Sequence, residues 1–509
     1  MAHRRLQRWL IVLAGSILMA NAVGVPARAA APDGPAADAS VPAPTRPSTL
    51  VNDPRLDATA DDNIQNTVSI AVAGPNIVAA YNDSGSSAGA RDPHFVGYST
   101  SADGGVTWTD RGSVYDGPLP VYGSPALAVD DDSSRVFLAV EGASSNSEKS
   151  ILVFRSDDHG LSFTAPVNAT GIPDHPSDAV LPNLAVDNFP GRGRGTVYLA
   201  WQQGGPSGGI RLTTSLDSGN SWKPSKPLSL DLQADFGRAD LVVSPDHCLH
   251  VVYRSTPQGA HPLNTIRTRT SCDRGQSFGP EVVLAALRQP TSADQGLNGQ
   301  FIAQAEPQIA LNPVTGALYV VYHDTTAVLG ADALLVASAD NGGTWGAPIR
   351  IGKDQGRHDQ FSPSVAVTHD GTQLMVGFYD RRTDLFDLNV ERWGQIGLID
   401  TEADGGGEAV LWRRDFPLSP SFRPPDCCDV DEPPVFFSDY DEIAADDSAF
   451  YSAWTDNRDA DSFSLFQPDI RAATIPIDAT TDVGVTLTGS TSPLPLVAHY
   501  FYLSIIQLS

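Results

Sequence analysis

One eight-residue motif occurs five times in this 509-residue chain, and it constrains the possible fold more than any other feature. Each copy begins with Ser and has Asp at its third position, Gly at its fifth, Ser or Thr at its seventh and Trp or Phe at its eighth. The copies are SADGGVTW (101–108), SDDHGLSF (156–163), SLDSGNSW (215–222), SCDRGQSF (271–278) and SADNGGTW (338–345). Their aspartates are 55, 59, 56 and 67 residues apart, and a long, nearly constant period predicts a repeat architecture.

Each position of the motif has a physical role in a tight turn. The aspartate side chain accepts hydrogen bonds from backbone N–H groups that follow it, and the glycine adopts a positive φ that other residues resist. The aromatic ring covers the turn. We therefore predict that the motif closes a hairpin between two β-strands and that its aspartates are structural. These aspartates are Asp103, Asp158, Asp217, Asp273 and Asp340.

Pairs of short apolar segments alternate with these turns. Seven pairs occur, such as PNLAV (182–186) with VYLAWQ (197–202), and their nearly continuous apolar runs indicate strands buried on both faces. With the strands on either side of a turn, each pair forms a four-stranded blade. The chain is thus predicted to be an all-β, seven-bladed β-propeller over residues 50–476, or a six-bladed one if one pair is decorative. Residues 50–57 could supply the missing fourth strand of the seventh blade.

Two cysteines test this strand order. Cys248 begins the second strand of the fourth blade, and Cys272 lies in the turn that ends its third strand. Because antiparallel neighbours place these two ends at the same edge, we predict a disulfide between them. The adjacent Cys427 and Cys428 could form a vicinal disulfide or remain thiols.

The two ends of the chain differ in composition from the repeats. Residues 1–29 have a basic start, a short apolar run and a small-residue cleavage site, which predict a signal peptide and a secreted protein. The Pro/Ala-rich residues 30–49 are predicted to form a linker. The tail, residues 477–509, resembles the first two strands of an Ig-like stalk repeat. No other segment is long and apolar enough to predict a membrane span.

The net charge of −27 is spread along the chain. Because such a chain repels polyanions, we expect no nucleic-acid partner. We also predict a monomer. No zinc-ligand spacing or phosphate-binding loop occurs in the sequence, and no cofactor is expected to be required. The acidic segment 426–432 could bind a structural calcium ion or be a solvated loop.

The repeated turns resemble the Asp-box, or BNR repeat, of sialidases and related secreted propellers. This resemblance covers residues 50–476 and implies the same fold. In sialidases three arginines bind the substrate carboxylate, an aspartate is the acid/base, and a glutamate assists a tyrosine nucleophile. The family's early Arg-Ile-Pro motif is absent from this chain, although Arg91-Asp92-Pro93 occurs in the corresponding region.

The propeller topology predicts where a site would lie. The ends of the second strands and the starts of the first strands share one face around the central channel, and the repeated turns lie on the opposite face. Glu141 and Asp439 belong to the polar side chains on the first face. The predicted catalytic residues are Asp380, Asp92, Glu306 and Tyr440, with Glu306 and Tyr440 as base and nucleophile. The predicted substrate-binding residues are Arg238, Arg254, Arg381, Arg382, Asp456, Arg458, Asp83 and Asp324.

These residues leave several functions open. As single residues, they could instead form salt bridges between blades or cap strand ends. Taken together, they favour an exported, sialidase-like exo-glycoside hydrolase with an Asp/Arg-lined mouth, and the resemblance implies a glycan or glycoprotein as its ligand. The alternative is a non-catalytic propeller that binds a glycan or a protein at the cell surface. A structural unit that self-associates through the tail is a third hypothesis.

Overall fold

A computed structural model gives the fold of the chain. It describes residues 48–55, 64–85, 94–144, 148–170, 178–204, 208–230, 235–256, 264–288, 297, 301–303, 306–326, 330–354, 358–401, 408–424, 435–459 and 468–477. Within these ranges the chain forms 31 β-strands and no α-helix, so none of the described segments is a helix that could cross a membrane. Outside the described residues lie the predicted signal peptide, nearly all of the predicted linker and tail, Asp92, Cys427, Cys428 and the acidic segment 426–432.

Seven antiparallel sheets of four strands, the blades, contain most of these strands. β1 (Thr49–Leu50) comes first in the chain but pairs in the last blade. Blades one to four follow, each numbered from its first strand outward. They are β2–β5 (Gln65–Ala73, Asn76–Asp83, Val96–Ser101, Thr109–Ser113), β6–β9 (Val121–Asp130, Arg135–Ala143, Lys149–Ser156, Val167–Asn168), β10–β13 (Ala179–Val186, Val197–Gln203, Gly209–Ser215, Lys226–Pro227) and β14–β17 (Asp235–Val243, Leu249–Thr256, Thr265–Ser271, Val282–Ala286).

The second half of the ring has the same plan with three short additional strands. Those additions are β18 (Phe301–Ile302), which pairs in parallel with β28 (Val435–Phe436), and β27 (Phe416–Pro417), which pairs with the third strand of blade six. Blades five to seven are β19–β22 (Gln308–Leu311, Leu318–Thr326, Gly330–Ser338, Ile349–Arg350), β23–β26 (Gln360–Val367, Gln373–Asp380, Glu391–Asp400, Ala409–Trp412) and β29–β31 (Glu442–Ala445, Ala449–Asp456, Asp469–Pro476) with β1.

The first strands of neighbouring blades contact one another in a closed circle. The order is β2, β6, β10, β14, β19, β23 and β29, and β29 contacts β2 again. The structure therefore confirms the seven-bladed propeller and excludes the six-bladed alternative.

The hydrophobic core is divided into seven clusters, and each cluster lies between two neighbouring blades. For example, Phe137 and Ile151 of blade two pack with Leu184 and Trp201 of blade three. Both faces of each sheet are thereby covered, which explains why the strand segments are apolar almost throughout.

One of the repeated turns shows the hydrogen bonds that recur in all five. Asp217 Oδ1 accepts the Ser215 hydroxyl at 2.8 Å and the Ser221 N–H at 2.9 Å, while Oδ2 accepts the Ser221 hydroxyl at 2.6 Å. The Ser221 hydroxyl and N–H lower the pKa of Asp217 because they stabilise its charged form. Gly219 has a φ of +77°, and a Cβ there would lie 3.0 Å from Phe137 of the preceding blade. The motif thus closes its own turn and packs it against a neighbour.

A disulfide joins Cys248 to Cys272. It connects the start of β15 to the turn that follows β16, and the two Cα atoms lie 4.1 Å apart. Among the described residues, the only group with the spacing of metal ligands is Asp246 with these two cysteines, whose sulfur atoms are already bonded to each other.

The ring closes through the segment that precedes blade one. β1 pairs with β31 by placing Thr49 opposite Ala472 and Leu50 opposite Arg471. This pairing supplies the fourth strand of blade seven, and it begins one residue before the predicted segment 50–57. Both ends of the described propeller therefore meet in one sheet.

Asn52 fastens this closure. Its Nδ2 donates to Asp469 Oδ1 at 2.8 Å, and its Oδ1 accepts the Ile470 N–H at 2.8 Å. Nδ2 also lies 3.3 Å from Gln65 Oε1, which begins blade one. Because Asn52 is buried, these groups have no access to bulk water and depend on the asparagine for their hydrogen bonds.

We expect Asn52→Ala to lower the free energy of unfolding by roughly 2–4 kcal/mol, because it removes the side-chain hydrogen bonds that Asn52 makes to buried groups of two blades. Urea denaturation measures this loss. Arg55→Ala is the matched control in the same segment, since the Arg55 side chain is 86% exposed and pairs only with Asp53 in the described residues. We expect that variant to change stability by less than roughly 0.5 kcal/mol. Equal losses would contradict the role of Asn52 in closure.

Candidate functional site at the channel mouth

The first strands of most blades are irregular where they begin, at the face that we call the channel mouth. β2, β6, β10, β14 and β23 each contain a shift in register near their start. Four non-glycine residues there have a left-handed φ, namely Thr67, Ser124, Leu181 and Ser362. Such residues resist this conformation, and bulges redirect side chains at the edges of sheets. The first strands therefore depart from regular β geometry at the channel mouth.

Six side chains from four blades meet at this mouth, and we call them the mouth cluster. They are Glu141, Arg238, Glu306, Asp439, Tyr440 and Glu442. Arg238 Nη2 donates to Glu442 Oε1 at 2.7 Å, which joins blade four to blade seven. The Arg238 guanidinium carbon lies 3.6 Å from the centre of the Tyr440 ring. Because Arg238 is only 2% exposed, the pair and the ring hold one another in a fixed arrangement.

Tyr440, the predicted nucleophile, is engaged with the backbone. Its hydroxyl donates to the Pro125 carbonyl at 2.6 Å, and its side chain is buried. Burial raises the pKa of Tyr440 well above its ordinary value, which keeps the hydroxyl protonated. The structure places Tyr440 in the mouth cluster without a hydrogen bond to Glu306 among the described contacts. Its role as nucleophile stays a prediction that this geometry does not favour.

Glu306 is held on one side of its carboxylate. Oε1 accepts from Arg254 Nη2 at 2.9 Å, whereas Oε2 is buried and has no hydrogen-bond partner within the described residues. Gly237 makes this position possible, since a Cβ there would collide with the Glu306 carboxylate. Glu306 is 7% exposed, so Oε2 is a buried acceptor that a bound hydroxyl group or water could satisfy.

Asp439 remains partly exposed, as do Glu141 and Glu442. Its N–H donates to Thr67 Oγ1 at 3.2 Å, which fixes the backbone against blade one. Burial by the surrounding protein, followed by the charges of Glu306 and Glu141, raises the pKa of Asp439 to about 7. Glu141 is positioned separately, because its Oε1 accepts the N–H of Leu181 at 2.9 Å.

This arrangement has the groups that acid/base chemistry needs. Asp439 can donate a proton near neutral pH, and Glu306 presents a carboxylate oxygen without a hydrogen-bond donor in the described residues. A carboxylic acid and a carboxylate held in different environments are the usual means of dividing the acid and base roles between two such groups.

Two predicted Asp/Arg pairs instead lock the ends of second strands. Arg382 Nε donates to Asp380 Oδ2 at 2.8 Å, and its Nη1 bonds to Asp415. Arg458 Nε donates to Asp456 Oδ1 at 2.8 Å in the same arrangement at the end of β30. Both aspartates are fully buried. The geometry favours the capping role that we gave as the alternative, and the catalytic and substrate-binding roles of these residues stay predictions.

The remaining predicted residues are also hydrogen-bonded within the chain. Arg381 Nη1 lies 3.1 Å from Asp359 Oδ2, and both are buried. Asp83 accepts an amide side chain at 3.1 Å, and Asp324 accepts the Arg288 N–H at 2.8 Å. The structure thus brings together Arg238, Arg254, Glu306 and Tyr440 of the predicted set.

Sequence reasoning placed Asp439 and Glu141 on this face but did not assign them to the site. Their signal was their position next to the start or end of a strand. Glu442 was not singled out, although it is the first residue of the short strand β29. Its importance depends on Arg238, which is 204 residues away in the sequence.

The raised pKa of Asp439 predicts how stability changes with pH. Between about pH 4 and pH 7 the folded protein retains a proton that the unfolded chain has released, so stability falls as pH rises through this window. Asp439→Asn cannot ionise. We therefore expect it to gain stability relative to wild type by up to roughly 4 kcal/mol between about pH 4 and pH 8, measured by urea denaturation.

Asp217→Asn is the control for that measurement. Because its hydrogen bonds lower the pKa of Asp217, the wild-type carboxylate stabilises the fold above its unfolded pKa, and this contribution is lost as pH falls through the folded pKa. Replacing it should cost more at neutral than at low pH, opposite in sign to Asp439→Asn. A pH-independent effect of Asp439→Asn would contradict the assigned environment.

Comparisons with known proteins give structural likenesses at low identity. No family model and no curated protein matches the chain. A protein of unknown function from Dyadobacter fermentans is 16% identical with a TM-score of 0.44, over 72% of this chain and 96% of its own. The intramolecular trans-sialidase from Ruminococcus gnavus is 16% identical with a TM-score of 0.42, over 85% and 97%. The α-L-arabinanase from Penicillium chrysogenum is 13% identical with a TM-score of 0.44, over 65% and 93%.

Proposed function

We propose that the protein acts on glycans at the channel mouth, as a glycoside hydrolase in which Asp439 is the general acid. One observation carries this proposal: a partly exposed carboxyl group, Asp439, lies among Glu306 and Glu141 where side chains of separate blades converge. A pair of carboxyl groups, one protonated and one ionised, is the usual equipment for cleaving a glycosidic bond.

The proposed reaction consumes one water molecule. Asp439 donates its proton to the glycosidic oxygen as the bond from that oxygen to the anomeric carbon breaks. Glu306 accepts a proton through Oε2 from the water that forms the new bond to that carbon. The carboxylates of Glu306 and Glu141 stabilise the positive charge that develops on the sugar ring in between. The products are two molecules with free hydroxyl groups.

This assignment differs from the sialidase pattern that the repeated turns resemble. It uses neither Asp380 as the acid nor Tyr440 as the nucleophile, because both are engaged within the fold. The predicted signal peptide supports a glycan outside the cell as the target. A second candidate is a propeller that binds a glycan at the same mouth without cleaving it. The low exposure of Glu306 favours this candidate, because it limits the access of water to Oε2.

We expect Asp439→Asn to reduce turnover of the best substrate in a panel of fluorogenic glycosides by at least roughly 100-fold, since the amide cannot donate an acidic proton. Asp110→Asn is the matched control: burial also raises the pKa of Asp110, which lies in the outermost strand of blade one. That variant should retain wild-type turnover. Full activity of Asp439→Asn would exclude Asp439 as the acid, and binding without turnover by wild type would favour the second candidate.

The pH dependence of kcat/KM tests the same assignment. The activity should fall as pH rises through about 7, where Asp439 loses its proton. Glu141→Gln removes a like charge and so lowers the pKa of Asp439, and we expect the basic limb of the profile to move to lower pH by roughly 0.5–1 unit. Glu408→Gln, which lies near Thr315 on the opposite face, should leave the limb in place. A basic limb that Glu141→Gln does not move would contradict the coupling.

A further inference from the structure

We infer that the mouth accepts neutral or cationic sugars and excludes acidic ones, because its arginines are already neutralised by carboxylates of the same chain. This inference rests on the proposed function and names the substrate class of the same site. It also departs from the resemblance of the repeated turns to those of sialidases, whose substrates carry a carboxylate.

The first step concerns the two arginines that reach the mouth cluster. Arg238 pairs with Glu442 at 2.7 Å, and Arg254 pairs with Glu306 at 2.9 Å. Neither side chain is more than 11% exposed. The charge of each guanidinium is thus offset by a carboxylate of this chain. A substrate carboxylate at Arg238 would be repelled by Glu442 and would have to be desolvated in a protein interior, which is costly.

The other arginines predicted to bind substrate are engaged in the same way. Arg381, Arg382 and Arg458 each pair with an aspartate of their own or an adjacent strand end. These ion pairs form part of the capping arrangement of β24 and β30. Each arginine of the predicted set thus already has a carboxylate partner that offsets its charge, which weakens the charge-assisted recognition that an acidic sugar requires.

The second step concerns the carboxyl groups that remain. The mouth cluster holds four of them, Glu141, Glu306, Asp439 and Glu442. With Asp439 protonated as the proposed acid, three carboxylates face the two guanidinium groups of Arg238 and Arg254. Within the described residues, neither Glu141 nor Asp439 forms an ion pair. The local field is therefore negative, as the electrostatic effect of Glu306 and Glu141 on Asp439 also indicates. Such a field repels an anion and attracts an ammonium group.

The third step is the recognition that this field allows. Sugar hydroxyl groups donate hydrogen bonds to carboxylates, and the partly exposed Glu141 and Glu442 can accept them. An amino sugar would add a charge-assisted bond. The same negative field stabilises the positive charge that develops when a glycosidic bond breaks. Substrate selection and catalysis thus require the same sign of charge.

The experiment uses the wild-type full chain and fluorogenic glycosides of three charge classes: neutral hexosides and pentosides, a glucosaminide, and a glucuronide with a sialoside. We expect the best neutral or cationic glycoside to exceed both acidic ones at least tenfold in kcat/KM, an order-of-magnitude expectation for unlike against like charge at a partly buried site. Preferred turnover of the glucuronide or the sialoside would overturn the inference and leave the hydrolase assignment intact.

If no glycoside is turned over, binding of the same protein is measured on a glycan array that contains neutral, cationic and acidic glycans. Binding confined to neutral or cationic glycans would overturn the hydrolase assignment and support the inference. Binding to acidic glycans would overturn the inference, and binding to none of the three would overturn both.

A charge variant tests the cause directly. Glu442→Gln releases Arg238, and we expect the preference for neutral over acidic probes to fall by about tenfold. Glu281→Gln is the matched control, since it releases Arg267 from a similarly buried pair in the outer strands of blade four. That variant should keep the wild-type preference. Each variant is first shown to unfold cooperatively, and an unchanged preference in folded Glu442→Gln would overturn the role of the pairing.

Discussion

Burial between blades is the constraint on which the rest of this structure depends. Each sheet is apolar on both faces, and each of the seven hydrophobic clusters belongs to two blades at once. An open row of such sheets would expose two apolar faces at its ends, so the ring has to close. Strand β1 closes the ring, because it precedes blade one in the sequence but pairs in the last sheet. Asn52 adds hydrogen bonds to the first and the last blade.

The two faces of the ring differ in structure. On one face, the repeated turns satisfy their own backbone groups and pack against the preceding blade through glycines such as Gly219. On the other face, first strands bulge and polar side chains converge from separate blades. The residues at strand ends there divide again. Asp380 and Arg382 pair with each other at the end of a single strand, whereas the side chains around Asp439 pair with residues of other blades.

The sequence predicts the features of the fold that repeat from blade to blade. The turn motif and the paired apolar segments predict the number of blades, the register of Cys248 and Cys272, and the face on which a site would lie. The site itself does not repeat. Its members come from different blades, and the distinction between a capping Asp/Arg pair and a member of the mouth cluster depends on which partner each side chain reaches. In the sequence, Asp380 and Asp439 are both aspartates next to a strand. In the structure, Asp380 pairs with a capping arginine, whereas Asp439 lies near two carboxylates that repel its negative charge.

The Arg238–Glu442 pair has a consequence for the order of events during synthesis. It crosses the channel from blade four to blade seven, and no chain shorter than 442 residues contains both partners. Blades one to four can stack on one another before the rest of the chain has folded, but Arg238 has no partner for its ion pair until blade seven is in place. The mouth cluster therefore forms only when the ring closes, and a truncated or unclosed ring would lack it.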